Sequence, residues 1–278
     1  MVIGIVDVGG GLRGVYGAGI FDFCMQNNIN FDYCIGVSAG SANIASFLAN
    51  QPNRNYKFYA EYSNRKEYMS FKNFIKTGSY LDLKYIYGDL SNKGGENPLD
   101  YDSLKKNPSK FIAVATNAKT GKVKYFTKND MQQDNYEILM ASSCIPAIDK
   151  PIYINGVPYY DGALSDPVPI KKAFNLGCDK VVLILTKPVD MIRTPQKDEF
   201  ISKTIIGKYP KAAEGLALRA KRYNESVEKA KEYEKEGKVL IIAPDDISGM
   251  KTLNIDIEAI NKLYNKGIKD AEKILNWL

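Results

Sequence analysis

Gly36-Val37-Ser38-Ala39-Gly40 places a serine between glycines, with an apolar run before it and small residues after it. This G-x-S-x-G spacing fits a nucleophile elbow, a sharp strand-to-helix turn that lifts a serine hydroxyl above the end of a sheet. The crowded turn favours residues without a Cβ at Gly36 and Gly40. A helix beginning at Ala39 would aim its first N–H groups toward the serine and favour negative charge there. A plain tight turn before a helix is the competing reading. A second glycine run opens the chain, Gly9-Gly10-Gly11-Leu12-Arg13-Gly14. Its bare backbone suits either of two anions. It can hold the oxyanion formed when serine attacks an ester, or the pyrophosphate of a dinucleotide, because it also satisfies G-x-G-x-x-G.

Two observations weigh between these readings. Asp32 has about the downstream spacing of a ribose-binding acid, but it opens the second apolar run, whereas such an acid closes it. The close of that run is occupied by the Ser38 motif. Two glycine-lined turns at the same end of adjacent parallel strands would instead put the amides of Gly9, Gly10, Gly11, Gly14 and Ala39 near Ser38. Arg13 would steady the loop or strengthen its field, or else be an ordinary surface arginine.

The chain contains no histidine. A Ser-His-Asp triad and a histidine-ligated zinc site are therefore excluded. A base for Ser38 must come from another residue type. Asp161-Gly162-Ala163 follows Tyr159 and Tyr160. A carboxylate among aromatic groups is partly desolvated, which strengthens it as a base. An Asp-Gly pair is also an ordinary turn.

These residues need elements to position them. Residues 2–8 and 31–37 are short apolar runs that read as strands, and residues 15–26 and 39–49 read as helices. Two strand–loop–helix units argue for an α/β sheet with parallel strands. Residues 50–99 are rich in tyrosine and phenylalanine and read as irregular helices over one end of the sheet, as core or as a lid over an apolar substrate. Strands are expected at 111–115 and 123–126, joined in a hairpin-like way, then a short helix at 136–142. Further strands are expected at 180–185 and 238–243. Between them Leu216, Ala220, Tyr223, Val227 and Ala230 mark the buried stripe of one amphipathic helix ending at Gly237. Ile257, Ile260, Tyr264, Ile268, Ala271 and Leu275 mark a last one.

The glycine loop, the elbow and the later Asp-Gly-Ala together resemble the patatin-like phospholipases. Ala141-Ser142-Ser143-Cys144-Ile145-Pro146 also looks like a segment those proteins carry before the Asp-Gly-Ala element. The resemblance runs over residues 2–169 and departs at Val8, where many members have glycine. It implies a Ser38–Asp161 catalytic dyad, a glycine-loop oxyanion hole and fatty-acyl esters of lipids as substrates. No cofactor or metal is implied.

The expected fold is a three-layer α/β/α sandwich with a mostly parallel sheet. Residues 1–172 are expected to form the catalytic core and 173–278 to complete the sheet and add amphipathic helices. A dinucleotide-binding oxidoreductase and a catalytically silent lipid-binding member of the same fold are the alternatives. The four cysteines show no paired or ligand spacing and are expected to be buried thiols in a cytoplasmic protein. A net charge of +6 fits peripheral contact with an anionic membrane surface. No basic and aromatic motif points to nucleic acid.

Overall fold

The computed structural model describes residues 1–247, 249–253 and 255–278. Among them eight strands form one sheet: β1 (Ile3–Asp7), β2 (Tyr33–Val37), β3 (Lys110–Asn117), β4 (Val123–Thr127), β5 (Ile152–Ile154), β6 (Val157–Asp161), β7 (Lys180–Ile184) and β8 (Val239–Ile242). The order is β5-β6-β3-β2-β1-β7-β8, with β4 also on β3. The run β3-β2-β1-β7-β8 is parallel throughout. The pairings of β4, β5 and β6 are antiparallel. The helices are α1 (Val15–Gln26), α2 (Ala39–Leu48), α3 (Arg54–Ala60), α4 (Phe71–Thr77), α5 (Tyr101–Lys106), α6 (Glu137–Ser143), α7 (Ile170–Asn175), α8 (Gln196–Ile205), α9 (Pro210–Ala217), α10 (Arg219–Lys235) and α11 (Ile257–Leu275).

The central strands bury both faces, so alternate residues enter different cores. Ile5, Cys34, Phe111, Ala113 and Val182 pack on the face carrying α1, α2 and α11. Val6, Ile35, Ile112, Val114, Val181 and Leu183 pack on the face carrying α7 and α10. The result is the three-layer α/β/α sandwich. At β1 the strand order changes direction, with β2 on one side and β7 on the other. The loops after β1, β2 and β7 leave the same end of the sheet, where such a switch opens a crevice.

β3 outruns its neighbour. β2 ends at Val37, opposite Val114. β3 continues for three residues, and β6 pairs with them, placing Asp161 opposite Ala115. The last residue of β6 thus lies next in line beyond the last residue of β2. β4 takes the remaining edge of β3.

Residues 50–99 form α3, α4 and short turns, with Phe58, Tyr59, Tyr62 and Tyr68 buried beneath them. Three expectations need correction. The amphipathic stripe is divided between α9 and α10, which meet at Leu218, so Leu216 lies on a different helix from Ala220. In α11 the end positions Ile257 and Leu275 are exposed, and burial falls instead on Leu263, Gly267 and Ile274 as well as Ile260 and Ala271. Finally, β5 and β6 were not foreseen, although β6 carries Asp161. Each cysteine is buried and unpaired. Among the described residues no helix is long and apolar enough to cross a membrane.

Candidate active site

Ser38 occupies a left-handed backbone conformation, φ 56° and ψ −133°, between β2 and α2. For a residue with a Cβ this costs about 1–3 kcal/mol and needs support from its surroundings. The support is specific. The Ser38 N–H donates to Ser142 Oγ at 2.9 Å, and Ser142 Oγ donates to the Val114 carbonyl at 2.7 Å. Ser38 O accepts from Ser41 N–H at 3.0 Å and Ser41 Oγ at 2.7 Å. The flanking glycines are required by contact. A Cβ on Gly36 would collide with the Ser41 backbone, and one on Gly40 with the Asp7 carbonyl.

The Asp161 carboxyl is buried at the end of β6 and borders the same cleft as Ser38. Its Oδ1 accepts from the Ala163 N–H at 2.8 Å. Burial raises its pKa above the ordinary carboxylate value. The Ser38 side chain, the Ala163 hydrogen bond and the charges of Arg219 and Arg193 oppose that rise. Backbone bonds fix its height: Asp161 N–H donates to Cys144 O, and Asp161 O accepts from Thr116 Oγ1.

The glycine loop divides by residue. Gly9, Gly10 and Gly11 all have positive φ, at 62°, 130° and 61°. Gly9 departs from its expected role as an oxyanion donor, because its N–H is engaged by Asp7 Oδ1 at 2.8 Å. It is glycine for room, since a Cβ there would strike Val37 O and the amides of Ala39 and Gly40. Gly14 also departs. It borders neither cavity at Ser38, packs against Tyr59 and Ala39, and gives its carbonyl to Asn43 Nδ2. Leu12 N–H donates to Thr252 O. Gly10, Gly11 and the first amide of α2 at Ala39 are left as candidate oxyanion donors. Arg13 is buried rather than superficial and borders the site, with Nη1 3.3 Å from Thr252 Oγ1. Asp32 lies at the other end of β2, bonding the Ile3 N–H at 2.7 Å. No dinucleotide ribose over the glycine loop could reach it.

Sequence reasoning missed a buried polar frame behind the loop. Asp7 holds Gly9 and Asn43, and Asn43 also holds Tyr59 OH. Burial pushes the Asp7 pKa up to about 6. The signal was available in part, since Asp7 interrupts an otherwise apolar strand. Ser142 was visible only as one member of a quoted segment, and nothing local tied it to Ser38.

Ser38 borders two spaces. One is a narrow cavity of about 70 Å³ beneath residues 54–99, lined largely by apolar groups such as Phe58, Met69, Leu81, Leu83 and Ile86. The other is a wide cleft of about 690 Å³ bordered by the glycine loop, Asp161, Thr186, Lys187 and Arg193. Among the described residues no cluster of acidic residues or cysteines could hold a metal ion.

The family model for patatin-like phospholipases matches residues 8–174. The chain belongs to the patatin-like phospholipase family. Membership supports lipid acyl hydrolysis in general terms. A second model, a domain of unknown function (DUF6363), matches residues 209–278. The uncharacterized protein YjjU of Escherichia coli (strain K12) is 31% identical over 199 residues, 70% of this chain and 54% of that relative. The chain thus spans about half the length of that curated relative. VipD from Legionella pneumophila, a crystal structure, aligns with a TM-score of 0.51 at 14% identity, over 99% of this chain and 67% of VipD. At that identity the likeness concerns the fold alone. The patatin match ends within α7, so β7, β8 and the cleft residues Lys187, Arg193 and Arg219 lie outside it.

Proposed function

We propose that the protein hydrolyses fatty-acyl esters of lipids with Ser38 as nucleophile and Asp161 as base. The observation that carries this reading is the strained Ser38 elbow set against a buried carboxylate from a distant strand. The Ser38 hydroxyl proton passes to Asp161 as Oγ bonds to the ester carbonyl carbon. The Gly10, Gly11 and Ala39 amides hold the oxygen anion. Collapse breaks the bond to the alcohol, which leaves with the proton from Asp161. Water then gives a proton to Asp161 and attacks the acyl-serine, and Ser38 regains its proton as the fatty acid departs. The narrow cavity suits the acyl chain and the wide cleft the alcohol portion. No cofactor enters these steps.

Peripheral contact with a membrane is part of this reading. The exposed Phe71 and Ile75 of α4, beside the exposed Lys72 and Lys76, support it. The dinucleotide alternative has little support, given the position of Asp32. A silent lipid-binding protein is separated from an enzyme by labelling with a fluorophosphonate probe and mapping the adduct. The adduct is expected on Ser38. Folded protein that stays unlabelled would overturn the dyad.

A further inference from the structure

The narrow cavity beneath residues 54–99 is largely apolar, yet a buried cation borders it. Ser38 lines this cavity, and so does Arg54. Helix α2 sets their separation. Its residues Ala39, Ala42 and Asn43 line the cavity, which therefore runs along the helix. Ser38 precedes the first residue of α2, and the Arg54 guanidinium is held by Ser46, two turns further on. At the helical rise that is about 12 Å along the axis.

Arg54 is 8% exposed. Its Nη1 donates to Ser46 Oγ at 2.9 Å, and its Nη2 donates to Ser91 Oγ and to the Asn97 carbonyl, both at 3.0 Å. Its guanidinium lies 4.8 Å from the centre of the Phe58 ring. All these partners are neutral, and Nε is buried without any partner. Among the described residues no carboxylate lies within ion-pair distance of Arg54, and the titratable groups that act on it are Tyr136, Tyr87 and Tyr62. Burial pushes its pKa down to about 10, so it remains a cation at neutral pH. A buried charge is costly unless an opposite charge joins it, and three neutral acceptors do not supply one.

We propose that Arg54 receives the far end of the acyl chain, so that the preferred acyl groups carry a terminal carboxylate. The assignment rests on Ser38 as the nucleophile, which places the carbonyl end of the chain at the near end of the cavity. A carboxylate is the anion that fits this space. It is planar and little wider than the chain that bears it, and the cavity holds only about 70 Å³. It brings the charge that Ser46, Ser91 and Asn97 lack, and oxygens that match a guanidinium. A plain hydrocarbon terminus would leave the cation without a counter-ion. The nonanedioyl group is a chain of about the required span.

The test uses soluble para-nitrophenyl esters, with the spontaneous rate subtracted. The parent protein is expected to hydrolyse the hydrogen nonanedioate with a kcat/KM at least tenfold above that for the same compound with its free carboxyl methylated. A ratio near one overturns the proposal. The hydrogen hexanedioate, whose carboxylate falls short of Arg54, is expected to gain nothing over its own methyl ester. An equal gain there would trace the preference to the cations of the wide cleft and would also overturn the proposal. Arg54→Met, folded by circular dichroism, should lose the nonanedioate preference, and its retention would assign the carboxylate elsewhere. If that variant does not fold, the two ratios of the parent protein decide. Failure of Ser38 as nucleophile would appear separately. No ester would then turn over, while the Ser38→Ala protein would still bind monomethyl nonanedioate more tightly than dimethyl nonanedioate in calorimetry.

Discussion

A buried carboxylate holds its proton more tightly than an exposed one, and Asp161 is such a group. Its protonated form cannot accept the Ser38 proton. Activity should therefore fall as pH drops through a pKa above the ordinary carboxylate value of about 3.9, with no imidazole limb since histidine is absent. The kcat/KM profile on a soluble short-chain ester measures this. Asp161→Asn should lower turnover by about 10²–10⁴ with the fold intact, and should remove the acidic limb. Retention of both would assign the base elsewhere. Gly11 permits a second test. Its φ is 61°, and a Cβ there would strike the Thr252 carbonyl. Gly11→Val should cost at least about 10² in turnover, provided circular dichroism shows a folded protein. The turn at Ser38 was legible because its flanking glycines answer a steric requirement, whereas Asp161 stood out only beside the other two motifs. Gly9 was misassigned because its engagement depends on Asp7, and a glycine run alone does not say which of its amides face inward.

Among the elements, α6 does more than fill space. Ser142 on this helix links β3 to the turn after β2 through the Val114 carbonyl and the Ser38 N–H. Ser142→Ala leaves both buried groups unpaired, so stability should drop by about 1–3 kcal/mol, read from the denaturant midpoint. Turnover should fall by about tenfold to a hundredfold as Ser38 shifts. Unchanged turnover with reduced stability would show that the elbow holds itself. The helix was expected from the sequence at nearly its true bounds, while β6 was not. Val157-Pro158-Tyr159-Tyr160-Asp161 contains a proline, which argues against an interior strand. The structure accommodates it because Pro158 faces β5, and its carbonyl still accepts from Ala118 N–H. The single helix expected over residues 216–230 failed for a related reason. Leu216 of α9 packs in one core and Tyr223, Val227 and Ala230 of α10 in the other, so a regular spacing that runs through all of them does not mark one face of one helix.

For the molecule as a whole, the residues on either side of position 172 share one sheet. β1 pairs with β7 along its full length, and the Thr186 hydroxyl donates to the Gly9 carbonyl. Tyr16 OH reaches Asp270 and Tyr264 OH reaches Asp22. A chain ending at Lys172 would leave β1 with an open apolar edge. It should show no cooperative unfolding transition by circular dichroism, whereas a cooperative transition would establish an independent catalytic core. The parallel sheet could be anticipated from alternating strands and helices. Its order could not, because the return of β7 to the far side of β1 depends on packing between residues distant in sequence.

That return sets a clock on synthesis. Val2 and Asp179 are bonded partners 177 residues apart, which a ribosome covers in roughly 9–35 s at 5–20 residues per second. Through that interval the strand bearing the glycine loop has emerged without the neighbour that closes it. Contacts so distant in the chain also form late in folding. The strand that leads into the glycine loop therefore gains its second neighbour only once residues 180–184 have been translated.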